Sequence, residues 1–185
     1  MKKILLAAIA SFAMFTGAFA QGPGSKLSVG PEVGLPLGDA GDGYSVTLGG
    51  TLKLEVPVSN SNFNVTFTSG YINYFGKNVQ LDYATYNGIY SVRGKLDNQG
   101  FIPVKIGGKY YANKNVYFEG EVGIVTNVNS SSSSTAFAYA PSIGVSLPVA
   151  DTKNAFDLGF RYEGWTKDGN VVSQIALRLA YKFKL

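Results

Sequence analysis

Polar and apolar residues alternate along most of this chain, but the charges sit in an unusual place. Each of the five glutamates, and most lysines and arginines of the alternating segments, falls on the polar phase. The other phase is aromatic and aliphatic. In a soluble sandwich the apolar phase packs on a shared core and the charged phase meets water. Here the segments carry charge at every second or fourth place, opposite a phase rich in Phe, Tyr, Val, Ile and Leu. The pattern suits a barrel turned inside out, greasy outside and charged within, which moves the protein from water into a membrane.

Eight strands are predicted. They span Leu27 to Leu35, Tyr44 to Val56, Phe63 to Phe75, Phe101 to Tyr111, Val116 to Thr126, Phe137 to Val149, Phe156 to Trp165 and Val171 to Phe183. The clearest alternation is in the third, where Phe63, Val65, Phe67 and Tyr71 oppose Asn64, Thr66 and Thr68. Between them lie turn signals such as Ser59-Asn60-Ser61-Asn62, Asn113-Lys114-Asn115, Asp151-Thr152-Lys153-Asn154 and Lys167-Asp168-Gly169-Asn170. The segment from Gly76 to Gly100 is polar and broken by Asn87-Gly88 and Asn98-Gln99-Gly100, which reads as a long loop with room for a hairpin of its own. Asn127 to Thr135, with serines from Ser130 to Ser134, reads as a flexible loop.

The connections after the second, fourth and sixth strands are short. Those after the third and fifth are a long loop and a serine tract, and those after the first and seventh are rich in Gly and Asp. Short periplasmic turns, longer external loops and an even strand number are the habit of outer-membrane barrels. The aromatics fall in two bands. Tyr44, Tyr71, Tyr74, Phe75, Phe101, Phe137, Tyr139 and Trp165 lie near the outer ends; Phe63, Tyr110, Tyr117, Phe118, Phe156, Tyr181 and Phe183 lie near the inner ends. Two such bands fit interfacial girdles. The fold class expected is therefore all-β: an eight-stranded antiparallel transmembrane β-barrel with up-and-down meander order. A soluble lipocalin-like barrel, with this aromatic phase turned inward, is the alternative.

The N-terminus sharpens the location. Met1-Lys2-Lys3, an apolar run to Phe19 and Ala18-Phe19-Ala20 before Gln21 describe a secretory signal peptide over residues 1–20, cleaved between Ala20 and Gln21, followed by a barrel domain over 21–185. A spanning helix fits less well, because the run is short and no stop-transfer charges follow. There is no cysteine, which removes disulfides and a lipoprotein anchor. The net charge of +4 falls to +2 without Lys2 and Lys3, too little and too dispersed for nucleic acid. The expected location is the cell outer membrane.

The polar phase gathers Glu32, Lys53, Glu55, Lys105, Lys109, Glu119, Glu121, Asp157, Arg161, Glu163, Arg178 and Lys182, six acids and six bases. Around Asn113-Lys114-Asn115 one register sets Lys109 opposite Glu119 and its neighbour sets Lys105 opposite Glu121, so either pairs opposite charges across strands. An eight-stranded barrel is just wide enough for side chains to fill it. Charges there need partners, which makes a plugged lumen the better reading and a narrow channel or porin-like transporter of small polar solutes the alternative.

Enzyme chemistry finds little support. The chain has no histidine, which excludes Ser-His-acid triads, and without His or Cys a zinc or copper site is not expected. Glu119 and Glu121 could form an acid/base pair, but the facing lysines favour a structural role. Asp39-Ala40-Gly41-Asp42-Gly43 lacks the further acidic ligand of a calcium loop and reads as a turn. No enzymatic activity and no cofactor are expected.

Three segments carry a resemblance: Gly30-Pro31-Glu32-Val33-Gly34-Leu35-Pro36-Leu37-Gly38, Gly100-Phe101-Ile102-Pro103-Val104-Lys105-Ile106-Gly107-Gly108-Lys109-Tyr110-Tyr111, and Tyr117-Phe118-Glu119-Gly120-Glu121-Val122-Gly123. They resemble the bacterial outer-membrane β-barrel domain family, which implies a small barrel in a Gram-negative outer membrane and supplies no catalytic residues to carry over. Ile175, Leu177, Leu179, Tyr181, Phe183 and Leu185 share one phase and resemble the C-terminal signal read by the barrel-assembly machinery, although the chain ends two places past the aromatic. The partners expected are outer-membrane lipid and lipopolysaccharide, that machinery during insertion, and a surface protein met through the external loops. Tyr83, Tyr86, Tyr90 and Arg93 of the long loop are the candidate contacts, since Tyr and Arg are common interface anchors.

Overall fold

The computed structural model describes residues 24–85, 88–129 and 134–185, and side chains outside 79–92. The expected cleavage site at Ala20 and Gln21, and Tyr86 of the long loop, lie outside the described residues.

Among the described residues ten strands follow in chain order: β1 (Lys26–Leu37), β2 (Tyr44–Pro57), β3 (Phe63–Gly76), β4 (Asn78–Thr85), β5 (Gly88–Lys95), β6 (Gln99–Tyr111), β7 (Val116–Asn127), β8 (Thr135–Pro148), β9 (Ala155–Lys167) and β10 (Asn170–Lys184). Eight of them close a barrel in the order β1-β2-β3-β6-β7-β8-β9-β10, each antiparallel to its neighbours, with β10 returning to β1. The remaining two, β4 and β5, form a separate hairpin inserted between β3 and β6. The long loop therefore does carry its own hairpin. Closure is the physical requirement: in hydrocarbon an open edge would leave backbone N–H and C=O groups without partners.

Observed strands overrun the predicted bounds by a residue or two at most ends, because ladders continue into the polar rims where alternation fades. Asp39–Gly43 winds into a short helix, α1, in place of the simple turn expected there. Lys167 pairs with Asn170 across a two-residue turn in which Asp168 and Gly169 both have positive φ, 50° and 81°. Both central residues of a tight primed turn need that conformation, and Asp and Gly adopt it at low cost. The short turns after β2, β6 and β8 lie at the end where Lys26 meets Lys184; in barrels of this kind that end faces the periplasm.

Burial follows the predicted phases. Val33, Leu35, Leu48, Val104, Ile106, Val122, Leu177 and Leu179 are exposed on the outside, while Glu32, Lys53, Glu121, Arg161 and Glu163 are buried within. The soluble alternative fails here, since the large aliphatic residues face outward. Small inward residues decide how closely strands approach. Gly30 on β1 sits against β10 so tightly that a Cβ there would overlap the Leu179 carbonyl and the Ala180 Cα.

Five aromatics assigned to the girdles turn inward; Tyr44 does so beside the register irregularity at Tyr44/Val46 and packs on Tyr74. Tyr74, Phe101, Trp165 and Tyr117 share the phase of Thr68, Lys105, Glu163 and Glu119 respectively, and strand period 2 carries them into the lumen. Phe63, Tyr71, Tyr110, Phe118, Phe137, Phe156 and Phe183 are exposed on the outer wall.

An arginine on the outer wall should cost stability according to depth. Leu177→Arg, at the middle of β10, is expected to cost about 2–4 kcal/mol, and Phe156→Arg, at the inner rim, about 0–1 kcal/mol. Urea titration of barrels refolded into bilayers, read by heat-modifiable gel migration, measures both. Equal small effects at the two sites would argue against membrane burial of this wall.

Candidate functional site

The inward phase of eight strands converges on one axis, so charges far apart in sequence become neighbours. In the half nearer the periplasmic end, two acids share two lysines. Lys109 Nζ lies 3.2 Å from Glu55 Oε2 and 3.1 Å from Asp157 Oδ2. Lys182 Nζ lies 3.3 Å and 2.6 Å from the same two oxygens. The other carboxylate oxygens accept from tyrosines: Tyr111 donates to Glu55 at 2.9 Å, and Tyr117 to Asp157 at 2.6 Å. The Tyr117 ring also lies under the ammonium of Lys109, 3.5 Å from its centroid.

The outer half is a second cluster. Lys53 Nζ bridges Glu119 at 2.6 Å and Glu121 at 3.4 Å. Lys105 Nζ bridges Glu163 at 3.0 Å and Glu121 at 3.8 Å. Arg161 reaches Glu163 at 2.6 Å and pairs with Glu32. Arg178 lies between the clusters, held mainly by hydroxyls: its Nε donates to Thr51 at 2.6 Å and an Nη to Ser28 at 3.0 Å, while Asp157 is 3.9 Å away.

All eleven predicted interior charges, with Asp157, are thus brought together along the lumen; of the two cross-strand pairs expected, Lys105–Glu121 is present at 3.8 Å and Lys109–Glu119 is not. The register does set Lys109 opposite Glu119. Lys109 nevertheless bonds Glu55 and Asp157, and Glu119 bonds Lys53. Side chains this long reach across so narrow a lumen, and there an ammonium can meet two carboxylates where a cross-strand neighbour supplies one. The cavity left between Lys53, Glu119, Ser142, Arg161 and Arg178 measures about 10 Å³, room for a single water.

Above the charges lies an aromatic layer that the girdle reading missed. Tyr74, Trp165, Ile72, Val125 and Ala138 form a buried apolar cluster, with Tyr44 and Phe101 packed against it. Ring centroids are 5.2 Å apart for Tyr74 and Trp165 and 4.8 Å for Phe101 and Trp165. Trp165 Nε1 donates to Glu163 at 3.0 Å, tying the layer to the ions beneath. Strand parity was the available signal: Trp165 stands two places after Glu163.

The predicted loop contacts fall on the β4–β5 hairpin. Tyr83 pairs with Tyr90 and Gln80 with Arg93 in its register. The hairpin extends the β3–β6 ladder outward, with Leu96 N donating to Lys77 O at 3.0 Å. Eight residues a side give it a length of about 26 Å at strand rise.

No protein-family model matches the chain, and no curated protein does. Solved structures match over most of it. Ail, the attachment invasion locus protein of Yersinia pestis, is 17% identical with a TM-score of 0.52, the match covering 87% of this chain and 99% of that one. Neisserial surface protein A is 13% identical with a TM-score of 0.57, covering 87% and 97%. Ail has also been solved in a phospholipid bilayer nanodisc and in complex with the heparin analogue sucrose octasulfate. At these identities the likeness is one of fold: that of the small eight-stranded outer-membrane β-barrels.

Among the described residues, Glu119 has one cationic partner within 4.0 Å, Lys53. Lys53→Met therefore leaves a buried carboxylate unpaired and is expected to cost about 3–5 kcal/mol, whereas Lys53→Met with Glu119→Met should recover much of it. Urea midpoints of the single and double variants test this; a double variant as unstable as the sum of the singles would refute it.

Proposed function

We propose that this chain, a small eight-stranded β-barrel of the bacterial outer membrane, is a closed anchor that holds external loops at the cell surface and engages a surface partner through them. The filled lumen carries the proposal. Lys105, Lys109, Glu121 and Glu163 are each no more than 3% exposed, and the aromatic layer lies over them. A barrel so filled offers no path for solute, and its carboxylates, engaged by lysine and arginine, are poorly placed for acid/base chemistry. A signal peptide over residues 1–20 belongs to the same reading, since such a barrel has to be exported before it inserts.

The part free to meet a partner is then the outer rim, and its largest projection is the β4–β5 hairpin. Tyr83, Tyr86, Tyr90 and Arg93 are its proposed contacts, chosen because aromatic and guanidinium side chains supply most of the binding energy at interfaces. The complex of Ail with a heparin analogue supports a polysaccharide as one class of partner, beside lipopolysaccharide or a surface protein.

Refolded protein in planar bilayers is expected to give no stable single-channel steps; regular steps would overturn the closed lumen and favour a narrow channel. Replacing residues 78–95 by a short turn should leave insertion and heat-modifiable migration intact and abolish attachment of expressing cells to heparin-coated or protein-coated plates. Attachment that survives the replacement, or none with the intact chain, would overturn the hairpin's role.

A further inference from the structure

The outer mouth holds a pocket that the closed lumen does not use. Above the charged layer, α1 and the outer strand ends enclose about 430 Å³, within the range of roughly 300–1,000 Å³ common for small-molecule sites. Its floor is aromatic. Tyr74 meets Tyr44 edge-on at 5.5 Å and Phe101 at 5.3 Å, and Tyr44 and Phe101 are only partly buried, so ring surface is open to the cavity. Trp165 is engaged through its N–H with Glu163 and so contributes carbon surface.

The rim is polar and close to neutral. Asp39, Gln99, Asn127, Lys167 and Asn170 line it. Gln99 Oε1 accepts from Asn127 at 2.9 Å and Lys167 donates to Ser134 at 2.7 Å, so those groups are oriented. Among the described residues the Asp39 carboxylate and the Asn170 amide have no side-chain partner, and the second face of the Gln99 amide carries donors. One carboxylate offsets one ammonium, which gives a polyanion no net attraction.

An apolar floor of rings under a neutral rim of amides and a carboxylate complements a ligand with a flat C–H face and hydroxyls around its edge. We propose that this mouth pocket is a binding site for an uncharged saccharide residue, stacked on Phe101 and Tyr44 and hydrogen-bonded at its edge by Asp39, Gln99 and Asn170. The site is separate from the β4–β5 hairpin, so it stands or falls apart from the hairpin's role.

The chain has one tryptophan, and it lies in the floor. Emission of Trp165 in nanodisc-held protein, free of sugar detergents, therefore reports occupancy. Maltose, lactose and chitobiose are the neutral probes; sucrose octasulfate and benzyl alcohol are the charged and the purely aromatic comparisons. At least one neutral saccharide is expected to give a saturable change. The Asp39→Ala, Asn170→Ala double variant, altered only at the rim, should bind it about tenfold more weakly, as loss of two hydrogen bonds of about 0.5–1.5 kcal/mol each implies. Phe101→Leu should weaken it as well, and replacement of residues 78–95 should not. Variants are scored only where the heat-modifiable folded band persists. No saturable response to any neutral saccharide, saturation by sucrose octasulfate or benzyl alcohol alone, or a response unchanged in the rim variant would each overturn the proposal.

Discussion

A sheet in hydrocarbon cannot keep an edge, and the rest of this structure follows from that. Each unpaired backbone group in lipid costs several kcal/mol, so β10 must return to β1, and eight strands close a lumen only as wide as the side chains that fill it. The outer wall is then solvated by lipid, and there the aliphatic phase needs no partner in the protein. The inner wall has the harder problem. Its polar residues lie beyond bulk water and must satisfy one another.

The chain meets that constraint with shared rather than paired charges. In the outer cluster Glu32, Glu119, Glu121 and Glu163 face Lys53, Lys105 and Arg161; in the inner cluster Glu55 and Asp157 face Lys109, Lys182 and Arg178. One cluster is short of a cation and the other has one to spare, so the two layers attract along the barrel axis. Arg178 holds the junction through Ser28 and Thr51, whose hydroxyls solvate it without adding charge. Among the described residues, Glu119 and Glu32 each have a single cation within 4.0 Å, so removing Lys53 or Arg161 uncovers a buried carboxylate, while the other acids keep a second partner. The network thus favours a single register, because a slip of one residue on any strand would send its charges into lipid.

Most of this was legible in the sequence because both faces obey one period. Alternation located the eight barrel strands, and the list of inward charges came directly from parity. What alternation could not give was most of the pairing. Lys109 sits opposite Glu119 in register, yet bonds acids on β2 and β9, and only the closed lumen shows which strands face one another across it. The aromatic layer was missed for a different reason. Tyr74 and Trp165 lie near the strand ends, where a girdle residue and a lumen cap have the same composition, and only strict counting from Thr68 and Glu163 separates them. At 13–17% identity to its structural neighbours, the fold is preserved by pattern while individual residues are not.

The aromatic cap changes where function can lie. Had Tyr74 and Trp165 faced lipid, the charged layer would open to the outside as a polar well. Turned inward, they seal the ions and present carbon to the external mouth, where water is in contact with ring surface that an ordinary core would cover. Exposed apolar surface inside a concavity is costly unless something occupies it. The hairpin meets whatever lies far from the membrane; the mouth meets only what is small enough to enter. On the reading proposed above, a barrel closed to passage keeps two separate outward surfaces, one of reach and one of shape, and neither depends on the ion network except for a rigid base.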